Sequence, residues 1–187
     1  MKKLLIAFSV FVAINMNAQV LGEGDSMLNL GLGLGAYGGG TGYTTKVPPL
    51  YASYEYMIND NISVGGYVGY HQMGYSLNTT LATASWNYSY LHFAGQAAYH
   101  FLNDDQLDVY GGLRLGYTNV TNEYDVKVKN EYEGAYSIPN EQTDASGSGI
   151  LFGFQVGGRY FFSDSFAVNL ELGYGIAILQ AGVTLKF

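Results

Sequence analysis

The sequence predicts an all-β fold, an eight-stranded antiparallel transmembrane up-and-down β-barrel. Three observations carry that prediction. Apolar residues recur with period 2 through most of residues 27–187, as expected for strands with two unlike faces. Only 12% of residues are charged, about half the share usual in a soluble domain. Short polar turns alternate with longer segments, the pattern of a barrel in an outer membrane.

The elements follow in order. Met1-Lys2-Lys3, the apolar run Leu4–Ile14 and the small residue Ala18 before Gln19 read as a secretory signal peptide over residues 1–18, leaving 19–187 as the barrel domain. In Met27–Tyr37, Leu28, Leu30, Leu32 and Leu34 share one face, opposite Asn29, Gly31, Gly33 and Gly35. Leu50–Ile58 sets Ala52, Tyr54 and Tyr56 against Ser53 and Glu55, and Ile62–Tyr70 sets Ile62, Val64 and Val68 against Ser63, Gly65 and Gly69. Leu91–Phe101 and Leu107–Tyr117 place His92, Gln96 and His100, then Asp108 and Arg114, opposite apolar partners. Ile150–Phe162, Phe166–Tyr174 and Leu179–Phe187 complete the eight, with Gln155 and Arg159, Asn169 and Glu171, and Gln180, Thr184 and Lys186 on their polar faces. Tight turns are expected at 59–61, 103–106 and 163–165, and longer loops at 38–47, 74–85 and 120–148.

Composition decides which way the faces point. No Asp, Glu, Lys or Arg lies on the apolar face of any of these strands. The lumen of an eight-stranded barrel is only just filled by side chains, so the large apolar residues do not fit inside and must face lipid. One charge at the bilayer midplane would cost about 2–4 kcal/mol. The 26 glycines, 18 tyrosines and 3 prolines argue against a disordered or coiled-coil chain. With no cysteine there is neither a disulfide framework nor a lipid-anchored N-terminal Cys. After loss of residues 1–18 the chain carries 6 basic and 15 acidic residues, a net charge of −9, which disfavours nucleic acid as a partner.

With these features the chain resembles the small eight-stranded outer-membrane barrels of the OmpX/OmpA-barrel type over Gly24–Phe187. The resemblance rests on the signal peptide, the eight-strand pattern and the terminal segment Ala181–Phe187. It implies that Phe187, in phase with Leu185, is the signal read by the barrel-assembly machinery. The tyrosine that such signals carry two residues before the end is missing here.

The candidate site is the lumen. Glu55, Asp108 and Glu171 face Arg114, Arg159 and Lys186, with Gln96 and Asn169 among them, and His100 is expected opposite Asp108 at the periplasmic end. Arg159 is expected opposite Asn169 and diagonal to Glu171. Such a network either fills and neutralises the barrel or gates a narrow ion path by exchange of partners. His92 and His100 lie about 26 Å apart on one strand and cannot share a metal. His71 and His92 could pair near the outer mouth, where two histidines without a nearby carboxylate make a weak metal site. No serine follows within two residues of a histidine, so no compact catalytic motif is visible. Gly33-x-Gly35-x-x-Gly38 lacks the helix that a dinucleotide fingerprint needs. Those glycines are instead expected to leave room for lumenal Tyr51, Tyr67, Tyr90 and Tyr110. Tyr70, Tyr99, Tyr117 and Tyr174, with Trp86, are expected as interfacial girdles.

Residues 120–148 carry six acidic and two basic side chains and read as an acidic surface for a partner. The function these readings favour is a structural or surface-interaction role without cofactor or catalysis. The protein is expected as a monomer in the outer membrane, bound to its lipid, with termini in the periplasm and long loops outside. The alternatives are a narrow channel and, third, an enzyme acting on outer-membrane lipid.

Overall fold

Alternation with period 2 needs a surface that is apolar on one side and polar on the other, and only a closed sheet satisfies every backbone donor of such a chain inside lipid. The computed structural model describes residues 19–38, 40–128 and 145–187 and is such a sheet. Its strands are β1 (Ser26–Ala36), β2 (Thr44–Asn59), β3 (Ile62–Asn78), β4 (Ala82–Asn103), β5 (Leu107–Val128), β6 (Ala145–Ser163), β7 (Phe166–Tyr174) and β8 (Ala177–Lys186). They pair antiparallel in chain order, and β1 pairs β8 to close the barrel. Among the described residues no helix is long and apolar enough to cross a membrane. The expected signal peptide and most of the third long segment (residues 129–144) lie outside the described residues.

The apolar residues do face outward. Leu32, Leu34, Leu113, Leu115, Phe152, Val156, Leu170 and Leu172 are all more than half exposed, whereas Asn29, Glu55, Asp108, Arg114, Arg159 and Glu171 are buried in the lumen. The barrel is therefore inverted relative to a soluble one.

The longest strands correct the expected loops. β4 and β5 run 22 residues each, where about 9–11 would cross a bilayer. The expected loop 74–85 is the end of a regular β3–β4 hairpin: pairing runs unbroken from Tyr70↔Leu91 to Asn78↔Thr83. Pro48 and Pro49 lie inside β2, at a register shift between Val47 and Leu50, where a missing N–H costs no ladder bond.

In this extension the polarity of the faces exchanges while their phase continues. Outward positions pass from Val68, Tyr70, Leu91, Phe93, Leu115 and Tyr117 to Gln72, Ser76, Ser85, Asn87, Ser89, Thr121, Glu123 and Asp125. Inward positions become aromatic: Tyr75 pairs with Trp86, and Trp86 with Tyr124, at ring separations of 5.6 and 5.1 Å. Trp86 is therefore no lipid girdle, contrary to expectation. It stands five residues past Leu91, about 17 Å further along the strand, on the inner face. Tyr99, Tyr117 and Tyr174 are exposed on the lipid face. In the same extension, desolvation and a hydrogen bond with Tyr43 hold the Tyr88 phenol above the usual tyrosine value.

At the end carrying both termini, residues 19–25 fold across the opening. Asn103 clamps this strap from both sides: its Oδ1 accepts from Leu21 N at 3.1 Å and its Nδ2 donates to Leu21 O at 2.6 Å. Val20 and Leu21 pack with Met27, Met57, Phe161 and Ala167 into an apolar floor beneath a polar lumen. Phe187 continues the closing pair, its N and O bonded to the O and N of Ser26 at 3.0 and 2.9 Å.

Candidate functional site

Five strands, β2 to β6, bring the lower lumenal layer together. Arg159 on β6 places Nη1 2.8 Å from Asp108 Oδ2 on β5 and Nη2 on Glu55 Oε1 of β2. His100 Nδ1 lies 2.6 Å from the other oxygen of Asp108, and His100 Nε2 lies 3.0 Å from Ser63 Oγ, which donates to Glu55 Oε2 at 2.9 Å. All five side chains are essentially withdrawn from solvent, and the Arg159 guanidinium stacks 4.1 Å from the Tyr110 ring centre.

The layer continues around the wall. Asn29 Nδ2 donates to Glu55 Oε1 at 2.8 Å, Thr184 Oγ1 donates to Asn29 Oδ1 at 2.7 Å, and Asn169 Nδ2 donates to Thr184 Oγ1 at 2.9 Å. Tyr51 closes the series by donating to Asn169 Oδ1 at 2.6 Å.

A second layer lies nearer the long hairpins. Arg114 Nη2 meets Glu171 Oε2 at 2.8 Å, and Arg114 Nε donates to Gln96 Oε1 at 3.0 Å. Its guanidinium sits 4.3 Å from the Tyr67 ring centre. Tyr110 joins the layers by donating to Glu171 Oε1 at 2.7 Å.

Several expected pairings are corrected. Arg159 does stand opposite Asn169 in register, but its charge partners are Glu55 and Asp108 rather than Glu171. His100 is opposite Tyr110, because a bulge between His100 and Leu102 shifts the register, and it reaches Asp108 diagonally. Lys186 takes no part in either layer. Its Nζ donates to Val20 O at 2.7 Å and lies 3.5 Å from Asp25 Oδ2, so it fastens the strap.

The glycines make room for the tyrosines, though mostly not the glycines expected. A Cβ on Gly31 would lie 2.6 Å from the Tyr51 ring, on Gly69 2.9 Å from Tyr67, on Gly38 2.8 Å from Tyr90 and on Gly157 2.6 Å from Tyr110. Of the motif glycines only Gly38 has this role; Gly33 and Gly35 stand against Ala177 and Ile178.

The fold also makes a Ser63–His100–Asp108 relay that short-range spacing could not reveal, since its members lie on three strands. A hydrolytic triad needs a serine whose proton the histidine can take. Here the Ser63 hydroxyl donates its hydrogen bond to Glu55, and all three residues are buried within the Arg159 layer. The arrangement neutralises buried charge; it offers no surface to a substrate.

A closed, inverted eight-stranded barrel with a charge-paired lumen defines an outer-membrane β-barrel protein. Residues 5–187 match the outer membrane protein beta-barrel domain family, and the chain belongs to it. Comparison with curated protein sequences returns no match. Among solved structures it is similar to Ail, the attachment invasion locus protein of Yersinia pestis, at 13% identity and TM-score 0.51, covering 88% of this chain and 99% of Ail. The N-terminal β-barrel domain of Pseudomonas aeruginosa OprF aligns at 14% identity and TM-score 0.52, covering 89% and 100%. OprG of the same organism aligns at 14% and 0.51, covering 89% and 97%. At these identities the likeness is one of fold.

Proposed function

We propose that this protein is a non-conducting, non-enzymatic outer-membrane barrel that stiffens the membrane and presents its β3–β5 extension to a partner outside the cell. In this reading residues 1–18 are removed as a signal peptide and the terminal strand, with Leu185 and Phe187, is recognised by the assembly machinery. The mature monomer keeps both termini in the periplasm and its long hairpins outside. The observation that carries the reading is the double closure of the lumen, by the Arg159 layer with the apolar strap below it and by the Arg114–Glu171 layer above.

The projecting sheet supports the surface role. It exposes Glu123 and Asp125 beside a polar outer face and leads into the acidic segment 120–148. Ail has been seen in complex with the heparin analogue sucrose octasulfate. The acidic end of this chain disfavours such a polyanion and suits a basic protein surface, met by ionic contact or strand-edge pairing.

Reconstitution in a planar bilayer tests the closure: the current stays at the bare-lipid baseline, and a steady conductance abolished by lumen substitutions would establish the channel reading instead. Replacing 129–144 with a short linker tests the surface role. Deleting all of 122–143 would also remove strand paired to β4. The shortened protein is expected to fold and to lose cell adhesion; unchanged adhesion removes this segment from the proposal.

A further inference from the structure

One pair of lumenal side chains is used by neither charged layer. His71 on β3 and His92 on β4 are both buried, and His92 Nε2 lies 3.2 Å from His71 Nδ1. The far nitrogen of each ring is anchored: His71 Nε2 lies 3.1 Å from the Tyr37 carbonyl oxygen, and His92 Nδ1 lies 2.8 Å from Thr118 Oγ1. We propose that His71 and His92 form a two-histidine site for a late first-row divalent cation, such as Cu2+ or Zn2+, at the long-hairpin end of the lumen.

A carbonyl only accepts, so in the neutral ring His71 Nε2 carries the hydrogen and Nδ1 presents a lone pair. His92 has two arrangements open to it. With its hydrogen on Nε2 it donates to His71, and the Thr118 hydroxyl donates to His92 Nδ1. With its hydrogen on Nδ1 it donates to Thr118 Oγ1, and two imidazole lone pairs then face one point. The change moves one proton between the nitrogens of one ring and turns one hydroxyl, so cation binding releases no net proton.

The geometry suits the cation. Two nitrogens bound tetrahedrally at about 2.0–2.1 Å stand about 3.3 Å apart, close to the separation already present, so rotation of the rings suffices and the strands need not move. A carbonyl or hydroxyl on the far nitrogen is the outer-shell contact that orients metal-binding imidazoles. Tyr90 stacks on His71 at 4.5 Å and 7° and reaches Gly38 O with its hydroxyl at 2.9 Å, so it limits how far the ring can turn and covers the pair from the long-hairpin side. Among the described residues no group of three or more His, Cys, Asp or Glu is placed to hold a metal ion. The two imidazoles are therefore the ligands this end of the lumen supplies, and imidazole without carboxylate selects copper, zinc or nickel over calcium or magnesium.

The test uses the untagged full chain refolded in detergent micelles. Titration with Cu2+ followed by electron paramagnetic resonance is expected to show one ion per barrel with two imidazole nitrogens. His71→Asn and His92→Asn should each weaken binding at least about tenfold, and Thr118→Val should weaken it about tenfold through the lost outer-shell contact. Ring-nitrogen NMR of the unaltered protein covers the case in which a variant fails to fold: Zn2+ should shift His71 Nδ1 and His92 Nε2 and leave His100 in place. The proposal is overturned if the asparagine variants bind Cu2+ as tightly as the parent, which would place the ion on acidic loops. Unmoved His71 and His92 signals at millimolar Zn2+ would overturn it equally.

Discussion

Arg114 on β5 and Glu171 on β7 belong to strands that share no hydrogen bonds, yet their side chains meet at 2.8 Å across β6. The pair is a brace inside the barrel rather than a cross-strand contact on its wall. Removing one partner leaves the other charge buried, at a cost of about 3–5 kcal/mol. Glu171→Ala should therefore lower the urea midpoint of the refolded barrel. It should not open a path, because the Arg159 layer and the strap stay shut. Planar-bilayer current at the bare-lipid baseline is the expected reading; a steady current from this variant would show that the upper layer alone is the gate.

The Arg159 layer is the more sensitive of the two. Arg159→Met strands two carboxylates, Glu55 and Asp108, in a site closed to water. Its loss should equal or exceed the cost of about 3–5 kcal/mol expected for a broken buried pair. Adding Glu55→Gln and Asp108→Asn to the same chain should recover most of the lost stability, since the excess charge is then gone. Denaturant unfolding of the parent, Arg159→Met and the triple variant measures both steps, and a triple variant no more stable than Arg159→Met would refute charge balance as the cause.

Gly157→Ala tests whether absent side chains shape the lumen. The added carbon would fall 2.6 Å from the Tyr110 ring and 3.0 Å from Glu171 Cγ. Tyr110 must then move, and its bond to Glu171 goes with it. Overpacking of this kind costs about 1–3 kcal/mol. Gly147→Ala, where a Cβ meets nothing within 4 Å, is the control. Equal midpoints for the two variants would mean that the Tyr110 ring has freedom the packing does not suggest.

What could be read from the chain follows from how far each signal reaches. Within the lipid-facing band a strand declares itself locally, because Leu28 through Leu34 or Val168 through Leu172 must all face one way. The lumenal residues were identifiable by the same parity. Their partners were not, because Arg159 and Glu55 lie 104 positions apart on β6 and β2, and hairpin register relates only neighbours. The bulge beside Phe101 altered one expected opposition, and the strap at Val20 and Leu21 carries no periodicity of its own. Residues 74–85 look like a loop because Ser, Thr and Asn crowd them. The missed signal was that Trp86, Tyr88 and Tyr90 keep the parity of His92 rather than of Leu91.

That parity gives the single tryptophan a decisive role as a reporter. Trp86 lies between Tyr75 and Tyr124 on the inner face of a sheet whose outer face is polar, beyond the last lipid-facing leucine of β4. A girdle residue would sit at the headgroups, within reach of bromine atoms on lipid chains. In bilayers of brominated phospholipid, Trp86 emission is therefore expected to keep nearly all its intensity. Moving the tryptophan, with Trp86→Phe and Leu115→Trp together, should place it in the lipid band and allow strong quenching. Denaturant-free refolding of both chains is checked by the usual gel shift of folded barrels. If bromolipid quenches Trp86 as strongly as the residue at 115, the membrane boundary lies higher than the exchange of polarity places it, and the β3–β5 extension is part of the membrane span rather than a projection from it.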